Sequence, residues 1–279
     1  MINPMLAYKI GKKEVDYNEK VFIQPKLDGV RCVITKDGCY TRAGNQWMNV
    51  AHIEMQLEKF FEVCPDVILD GELYNHELRD NFEKIISLVK KKTPTREDRW
   101  EAFELVEFHV YDHISDSPYE LRYSDLTYWF GPTGVYKDES VVLSDNFAIK
   151  NHDEALLKHS FNLSLGYEGS ILRLNGGYEC KRSYNLQKFK DFHDKEATIV
   201  GYIEGKGKRI GTLGKFLMID DEGIVFGCPP GKGYNYEQLT NILNNINDYI
   251  GKRATFTFFE RTKANSYRHP MYKTIRNYE

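Results

Sequence analysis

No run of about 18 or more apolar residues occurs in this 279-residue chain, so nothing in it has the length and texture of a membrane-crossing helix. The opening MINPMLAYKIGKKE lacks the apolar stretch of a secretory leader, and the expectation is a soluble, cytoplasmic protein without membrane association. Cysteine is sparse: Cys32, Cys39, Cys64, Cys180 and Cys228 form no C-x-x-C pair and no disulfide framework, and are expected to be reduced thiols. Internal repeats, low-complexity tracts and a Ser/Gly-rich linker are also missing. A solenoid is thereby excluded, and any hinge between domains must be short, near Lys190 to Lys195. Nor is there a surplus of positive charge. With 38 Lys and Arg against 41 Asp and Glu, the net charge of −3 argues against a protein that coats nucleic acid through bulk attraction.

What is present is ordinary globular composition, 41% apolar and 14% aromatic, at a length that suggests two domains. Charge is unevenly spread: from Lys181 onward, 17 basic residues face 11 acidic ones, which leaves the first 180 residues at −9. A basic final third points to a polyanionic partner.

Apolar and β-branched runs predict strands at Val21 to Ile23, Val30 to Thr35, Val67 to Tyr74, Glu107 to Tyr111, Ser140 to Leu143 and Gly169 to Leu174. Lys36-Asp37-Gly38 supplies a hairpin turn before Cys39 to Arg42. Helices are expected over Asn81 to Lys91 and Asp153 to Leu165, the second with Asn151 as N-cap and Gly166 as its stop. Residues 92–98 read as a polar surface loop. Beyond about Asp191 the texture changes to short strands, at Ala197 to Ile203, Lys215 to Ile219, Ile224 to Gly227 and Arg253 to Phe259, interrupted by one helix at Tyr236 to Ile246. About five strands with one helix in so few residues fit a small β-barrel of the OB type. The expected domains are 1–192 and 193–279.

The strongest local signal is Gln24-Pro25-Lys26-Leu27-Asp28-Gly29-Val30-Arg31, where one strand ends and a hairpin begins. A lysine at a strand end can face a pocket and attack phosphorus through its amine, provided a neighbouring cation such as Arg31, or a metal, helps it lose its proton. Asp70-Gly71-Glu72-Leu73-Tyr74 places carboxylates at the end of an apolar strand. Glu168-Gly169-Ser170-Ile171-Leu172-Arg173 opens a buried strand with a carboxylate that can hold a hard divalent cation. In Leu186-Gln187-Lys188-Phe189-Lys190 the period of two points both lysines to one face. Gly205-Lys206-Gly207-Lys208-Arg209-Ile210-Gly211 is a glycine-rich basic hairpin tip suited to phosphate contacts.

The first four of these segments, in this order, resemble motifs I, III, IV and V of the covalent nucleotidyltransferases, the superfamily of DNA ligases, RNA ligases and mRNA capping enzymes. Glu107-Phe108-His109-Val110-Tyr111-Asp112 resembles motif IIIa, in which an aromatic ring stacks on the purine, and Tyr111 is preferred to Phe108. Arg268-His269-Pro270-Met271-Tyr272-Lys273-Thr274-Ile275-Arg276 resembles motif VI of DNA ligases. The similarity covers about residues 20–279 and is greatest to ATP-dependent DNA ligases of the minimal viral or bacterial kind.

The resemblance implies an α+β fold, a mixed and largely antiparallel ATP-grasp-like nucleotidyltransferase domain followed by the OB-fold barrel. It implies sealing of 5′-phosphate/3′-hydroxyl nicks in duplex DNA, in replication, repair or recombination, through AMP covalently held on Lys26. Lys26, Lys188, Lys190 and Arg268 are the implied catalytic residues. Gln24, Arg31, Glu72, Tyr111, Lys188 and Lys190 would bind ATP, and Glu168 and Glu72 would bind Mg2+ or Mn2+. Arg42, Arg182, Lys206, Lys208 and Arg209 would contact DNA. The implied state is a monomer on nicked duplex DNA, with a replication or repair protein as a further partner. An RNA ligase, a GTP-using capping enzyme and a catalytically silent nick-binding module remain the alternatives.

Overall fold

Short strands with alternating apolar residues build two sheets before residue 190 and a third after it, in a computed structural model that describes residues 3–189, 193–231, 233–258, 261 and 266–276. The chain divides into two compact units, Met1–Lys190 and Asp191–Glu279.

The first sheet of the first unit has the order β1 (Leu6–Lys9), β10 (Arg182–Phe189), β9 (Gly169–Leu174), β2 (Val21–Lys26), β8 (Phe147–Ile149). All its pairs are antiparallel except β1 with β10. The second runs β4 (Gly38–Tyr40), β3 (Val30–Thr35), β5 (Leu69–Tyr74), β6 (Glu107–His113), β7 (Val141–Leu143), with only the last pair parallel.

Strand periodicity sorts each sheet into an apolar back and a polar front. Val21, Ile23, Leu172 and Phe189 of the first sheet join Ala155 of α6 (His152–Ser164) in one core. Cys32, Ile34, Leu69, Leu73, Phe108 and Val110 of the second join a larger core with α1 (Ala51–Gln56), α2 (Glu58–Val63), α3 (Phe82–Val89), α4 (Arg96–Leu105) and α5 (Tyr119–Phe130). The opposite faces, bearing Gln24, Lys26, Arg173 and Lys188 on one sheet and Arg31 and Glu72 on the other, line a single cavity between them.

Helix ends follow their caps. Asn151 Oδ1 accepts from the Glu154 N–H at 2.9 Å at the start of α6, and the chain leaves it through Gly166 at φ 88°. Residues 92–98 are not wholly loop. Helix α4 begins at Arg96 because Thr95 and Asp98 cap each other reciprocally, the Thr95 hydroxyl accepting from the Asp98 N–H at 3.2 Å and the Asp98 carboxylate from the Thr95 N–H at 2.9 Å. Strands β1 and β8 and helices α1, α2 and α5 were not expected from the sequence. The first four are only three to six residues long, and α5 buries Arg122 on its inner face, which blurs its amphipathic pattern.

The second unit is one antiparallel sheet, β13 (Val225–Cys228), β12 (Leu213–Ile219), β11 (His193–Glu204), β14 (Arg253–Phe258), β15 (Met271–Ile275), with α7 (Tyr236–Asn244) beside it. Phe216, Phe226, Phe256, Tyr267 and Tyr272 fill its core. The OB-type arrangement is present but the expected barrel is not closed by a ladder. Its two ends meet at one parallel bridge, Pro230 to Tyr272, with the Tyr272 N–H donating to the Pro229 carbonyl at 2.9 Å. The prolines at 229 and 230 have no N–H to extend it. Part of the expected hinge is strand, since β11 begins at His193; residues 190–192 lie outside the described residues. Among the described residues no helix is long and apolar enough to cross a membrane.

Candidate active site

Lys26 is the last residue of β2, opposite Gly169 of β9. That register sets what its amine meets. The Glu168 N–H donates to the Lys26 carbonyl at 3.1 Å, and Lys26 Nζ donates to Glu168 Oε2. The carboxylate side chain is 6% exposed and the amine side chain 22%, so the pair opens on the lysine side. Two glycines allow this approach. A Cβ at Gly169, at φ 148°, would overlap the Phe189 carbonyl of β10, and one at Gly29 would overlap the Leu73 carbonyl of β5. The chain between Lys26 and Arg31 therefore presses on the second sheet and sets Arg31 opposite Glu72.

Tyr111 reaches the cavity through an irregularity. On β5, Asp70 pairs with Asp112 and Gly71 with Val110, which leaves Tyr111 as the extra residue of a β-bulge. The bulge interrupts the alternation, so that Tyr111 and Asp112 both serve the front of the sheet. The Tyr111 ring lies 5.7 Å from the Arg31 guanidinium carbon and 5.2 Å from that of Arg173, and its hydroxyl is 3.4 Å from Glu72 Oε2.

Beneath these groups runs a floor of buried ion pairs. Arg31 Nε and Nη2 donate to the two oxygens of Asp70 at 2.8 and 2.5 Å, and Tyr178 donates to Asp70 at 2.7 Å while accepting from the Met5 N–H at 2.8 Å. Arg173 Nε donates to Gln24 Oε1 at 2.5 Å and its Nη1 to Asp112 at 2.6 Å; Arg122 takes the other oxygen of Asp112 at 2.7 Å. Burial works against the charge on Arg31, yet Asp70, Tyr111 and Tyr178 together hold its pKa above the ordinary value. Burial pushes the Glu72 carboxyl up to about 7; Lys26 and Arg31 pull against the rise, and Asp70 and Glu168 add to it. Burial also raises the Tyr111 phenol well above its usual range.

The cavity holds about 310 Å³ and is lined by Gln24, Lys26, Arg31, Arg42, Glu72, Tyr111, Arg173, Arg182 and Lys188, with Leu6, Ala7, Pro25, Leu27, Ile171 and Leu186 as apolar wall. That is the lower end of small-ligand pockets, roughly 300 Å³ upward. Gln24 is 2% exposed, its oxygen is taken by Arg173, and its Nε2 is a buried donor with no partner among the described residues. A ring nitrogen of a purine is the type of acceptor that would relieve it. For a cation the fit is a shared one. Among the described residues no three His, Cys, Asp or Glu side chains are grouped to hold a metal. Glu72 and Glu168 offer one or two carboxylates, as suits Mg2+ or Mn2+ held partly by phosphate oxygens.

Of the residues singled out from the sequence, Gln24, Lys26, Arg31, Arg42, Glu72, Tyr111, Arg182 and Lys188 gather on this one cavity, with Glu168 tied to Lys26. Phe108, the alternative to Tyr111, is buried in the core behind the sheet. Arg182 begins β10 and donates to the Ala7 carbonyl at 2.5 Å. Lys190 lies outside the described residues. Lys206, Lys208 and Arg209 are exposed in the turn joining β11 to β12, and Arg268 precedes β15; all four belong to the second unit. Arg122 and Tyr178 of the floor carried no sequence signal. Asp70, Asp112 and Arg173 stand inside quoted motifs without a role assigned.

A family model described as the ATP dependent DNA ligase domain matches residues 4–190, more than half of the chain. The chain belongs to the ATP-dependent DNA ligase family. A second model, the DNA ligase OB-like domain, matches residues 204–276 of this ligase-family chain. The DNA ligase of African swine fever virus (strain Badajoz 1971 Vero-adapted) is 30% identical over 232 residues, which cover 76% of this chain and 52% of the relative. The DNA ligase of Enterobacteria phage T6 is 28% identical over 306 residues, covering 89% and 62%. The chain spans about half the length of the African swine fever virus relative. A solved structure from a structure-function analysis of Lig E DNA ligases, concerned with DNA binding on a minimal scaffold, has a TM-score of 0.81 at 24% identity and covers 99% of this chain and 100% of that one. At that identity it supports the fold: a nucleotidyltransferase domain followed by an OB domain.

Proposed function

We propose that the chain is itself a ligase that seals nicks between a 5′-phosphate and a 3′-hydroxyl in duplex DNA. The observation that carries this reading is the Lys26 amine at the edge of a purine-sized cavity, hydrogen-bonded to a buried carboxylate. Lys26 Nζ attacks the α-phosphorus of ATP; the N–P bond forms, the bond to the bridging oxygen breaks and pyrophosphate leaves. Glu168 is placed to take the amine proton. The nick's 5′-phosphate oxygen then displaces the lysine from phosphorus, and the 3′-hydroxyl attacks that 5′-phosphate and releases AMP. Each displacement leaves little covalent work for the protein beyond positioning and charge neutralisation.

Tyr111 offers a ring face for the base and Gln24 its spare donor, while Arg31 and Lys188 stand over the phosphate side. Glu168 and Glu72 would hold Mg2+ or Mn2+, which when bound supplies positive charge to the phosphates. Arg42 and Arg182 at the cavity, with Lys206, Lys208 and Arg209 on the second unit, are the DNA contacts in this reading. Lys190 and Arg268 keep the catalytic roles that the family motifs imply. The protein acts as a monomer in the cytoplasm, binds nicks with strong salt dependence and works with a replication or repair protein.

The test is mass spectrometry of the full chain after incubation with ATP and Mg2+, beside Lys26→Ala. An added AMP on Lys26, lost in the variant and discharged by a nicked DNA duplex, is expected. Absence of the adduct, preferential labelling by GTP, or discharge only by RNA nicks would overturn the reading.

A further inference from the structure

Helix α4 lies behind the second sheet, on the side away from the cavity, and shows solvent an unusual stripe. Arg96, Arg99, Trp100 and Phe103 follow i, i+3, i+4, i+7 spacing, which puts them on one face, while Ala102 points into the core. Trp100 is 66% exposed and Phe103 46%, with ring centroids 5.7 Å apart at 33°; the His52 ring meets Phe103 edge-on at 5.8 Å. Large aromatics left this open on a charged helix cost hydrophobic free energy that burial against a partner would recover.

The platform is built firmly. Asn49, 1% exposed, donates to the carbonyls of Leu88 at 3.0 Å and Asp98 at 3.1 Å, tying the end of α3 to α4. Lys91 pairs with Asp98 and Lys84 with Glu101. By contrast Lys90, Lys92, Arg96 and Arg99 are exposed and have no side-chain partner among the described residues. Two lysines are thus used to fix the helices, and Arg96 and Arg99 are left free on the face that carries the tryptophan.

A long polyanion suits this surface poorly. Glu97 and Glu104 flank the stripe on the same helix, and the first 180 residues carry a net charge of −9. A few carboxylates set around an apolar side chain suit it well, and tryptophan with arginine is the pairing on which protein interfaces concentrate their binding energy. We propose that the exposed face of α4 docks an acidic segment of a partner protein that carries an aliphatic or aromatic anchor. The anchor covers Trp100 and Phe103, and its neighbouring carboxylates meet Arg96 and Arg99.

The test is selection of a displayed library of random 12-residue peptides on the full chain, followed by fluorescence anisotropy with the enriched peptides. Enrichment of segments with two or more Asp or Glu beside Leu, Ile, Phe or Trp is expected. Trp100→Ala should weaken them at least about tenfold, and the double variant Arg96→Glu, Arg99→Glu by a similar factor. Trp100→Phe should restore most of the affinity, and AMP loading of Lys26 should be unchanged in all three. Should Trp100→Ala misfold by circular dichroism, the arginine pair decides alone. Enrichment of basic or uncharged segments, no enrichment, or indifference to these variants would overturn the proposal. So would a 12-mer of thymidylate that binds the same residues more tightly than any peptide, which would assign the face to single-stranded nucleic acid.

Discussion

The floor and the mouth of the cavity use the same residue types for opposite ends. In the floor, Asp70 and Asp112 each receive two or more strong donors, and Arg31, Arg122 and Arg173 are aimed at them from three directions. At the mouth, Arg42 is exposed without a side-chain partner among the described residues, and deeper in the cavity Gln24 keeps a buried donor unspent. Charge that the fold satisfies internally holds shape. Charge and donors that it leaves unsatisfied are what a ligand can still use.

Four changes would sharpen or break that contrast. Asp112→Ala leaves Arg122 and Arg173 buried without their carboxylate and should cost about 3–5 kcal/mol in denaturant unfolding. A loss below about 1 kcal/mol would mean the floor is not structural. Gly29→Ala drives a methyl into the Leu73 carbonyl; about 1–3 kcal/mol should be lost, with a visible drop in melting temperature.

Glu72 tests the border between the two regions. Its folded pKa, about 7, lies above the unfolded value, so the folded chain holds the proton more tightly. The stability this gives is full below the unfolded pKa and is lost as pH rises through 7. Unfolding curves of Glu72→Gln should lack that decline, and nucleotide-metal affinity should lose its rise toward pH 7. A wild-type profile that is flat over this window would move Glu72 out of the site. At the mouth, Arg42→Ala should leave stability within about 0.5 kcal/mol of the parent yet slow sealing of a pre-adenylylated nick. A change in stability with sealing intact would reverse its assignment.

Much of this was legible along the chain because the relevant physics is local. Val30–Thr35 and Gly169–Leu174 alternate or run apolar between turn signals, and Asn151 and Gly166 punctuate α6, so these elements emerged with nearly their true limits. Lys26, Glu72, Glu168 and Lys188 stood out because each stands in a recognisable string, Lys26 ending β2 and Glu168 directly preceding β9. The bulge at Tyr111 is different in kind. Period two along Glu107–His113 assigns Tyr111 and Asp112 to opposite faces, and only the register of β5 against β6 shows the extra residue. Asp112, Arg122 and Tyr178 likewise owe their roles to partners 10 to 173 residues away, which only the fold brings together. The start of α4 was readable in Thr95-Arg96-Glu97-Asp98 but was outweighed by Pro94 and the polar composition around it.

Strand β1 is made long before the strand it pairs with. Its neighbour β10 ends at Phe189, and Met5 waits for Tyr178, 173 positions later. The cavity therefore stays incomplete on the nascent chain until almost all of the first unit has been made, and a stretch with a free edge must persist through that interval. Slow, late closure of this kind ties nucleotide-binding competence to the end of synthesis of the unit.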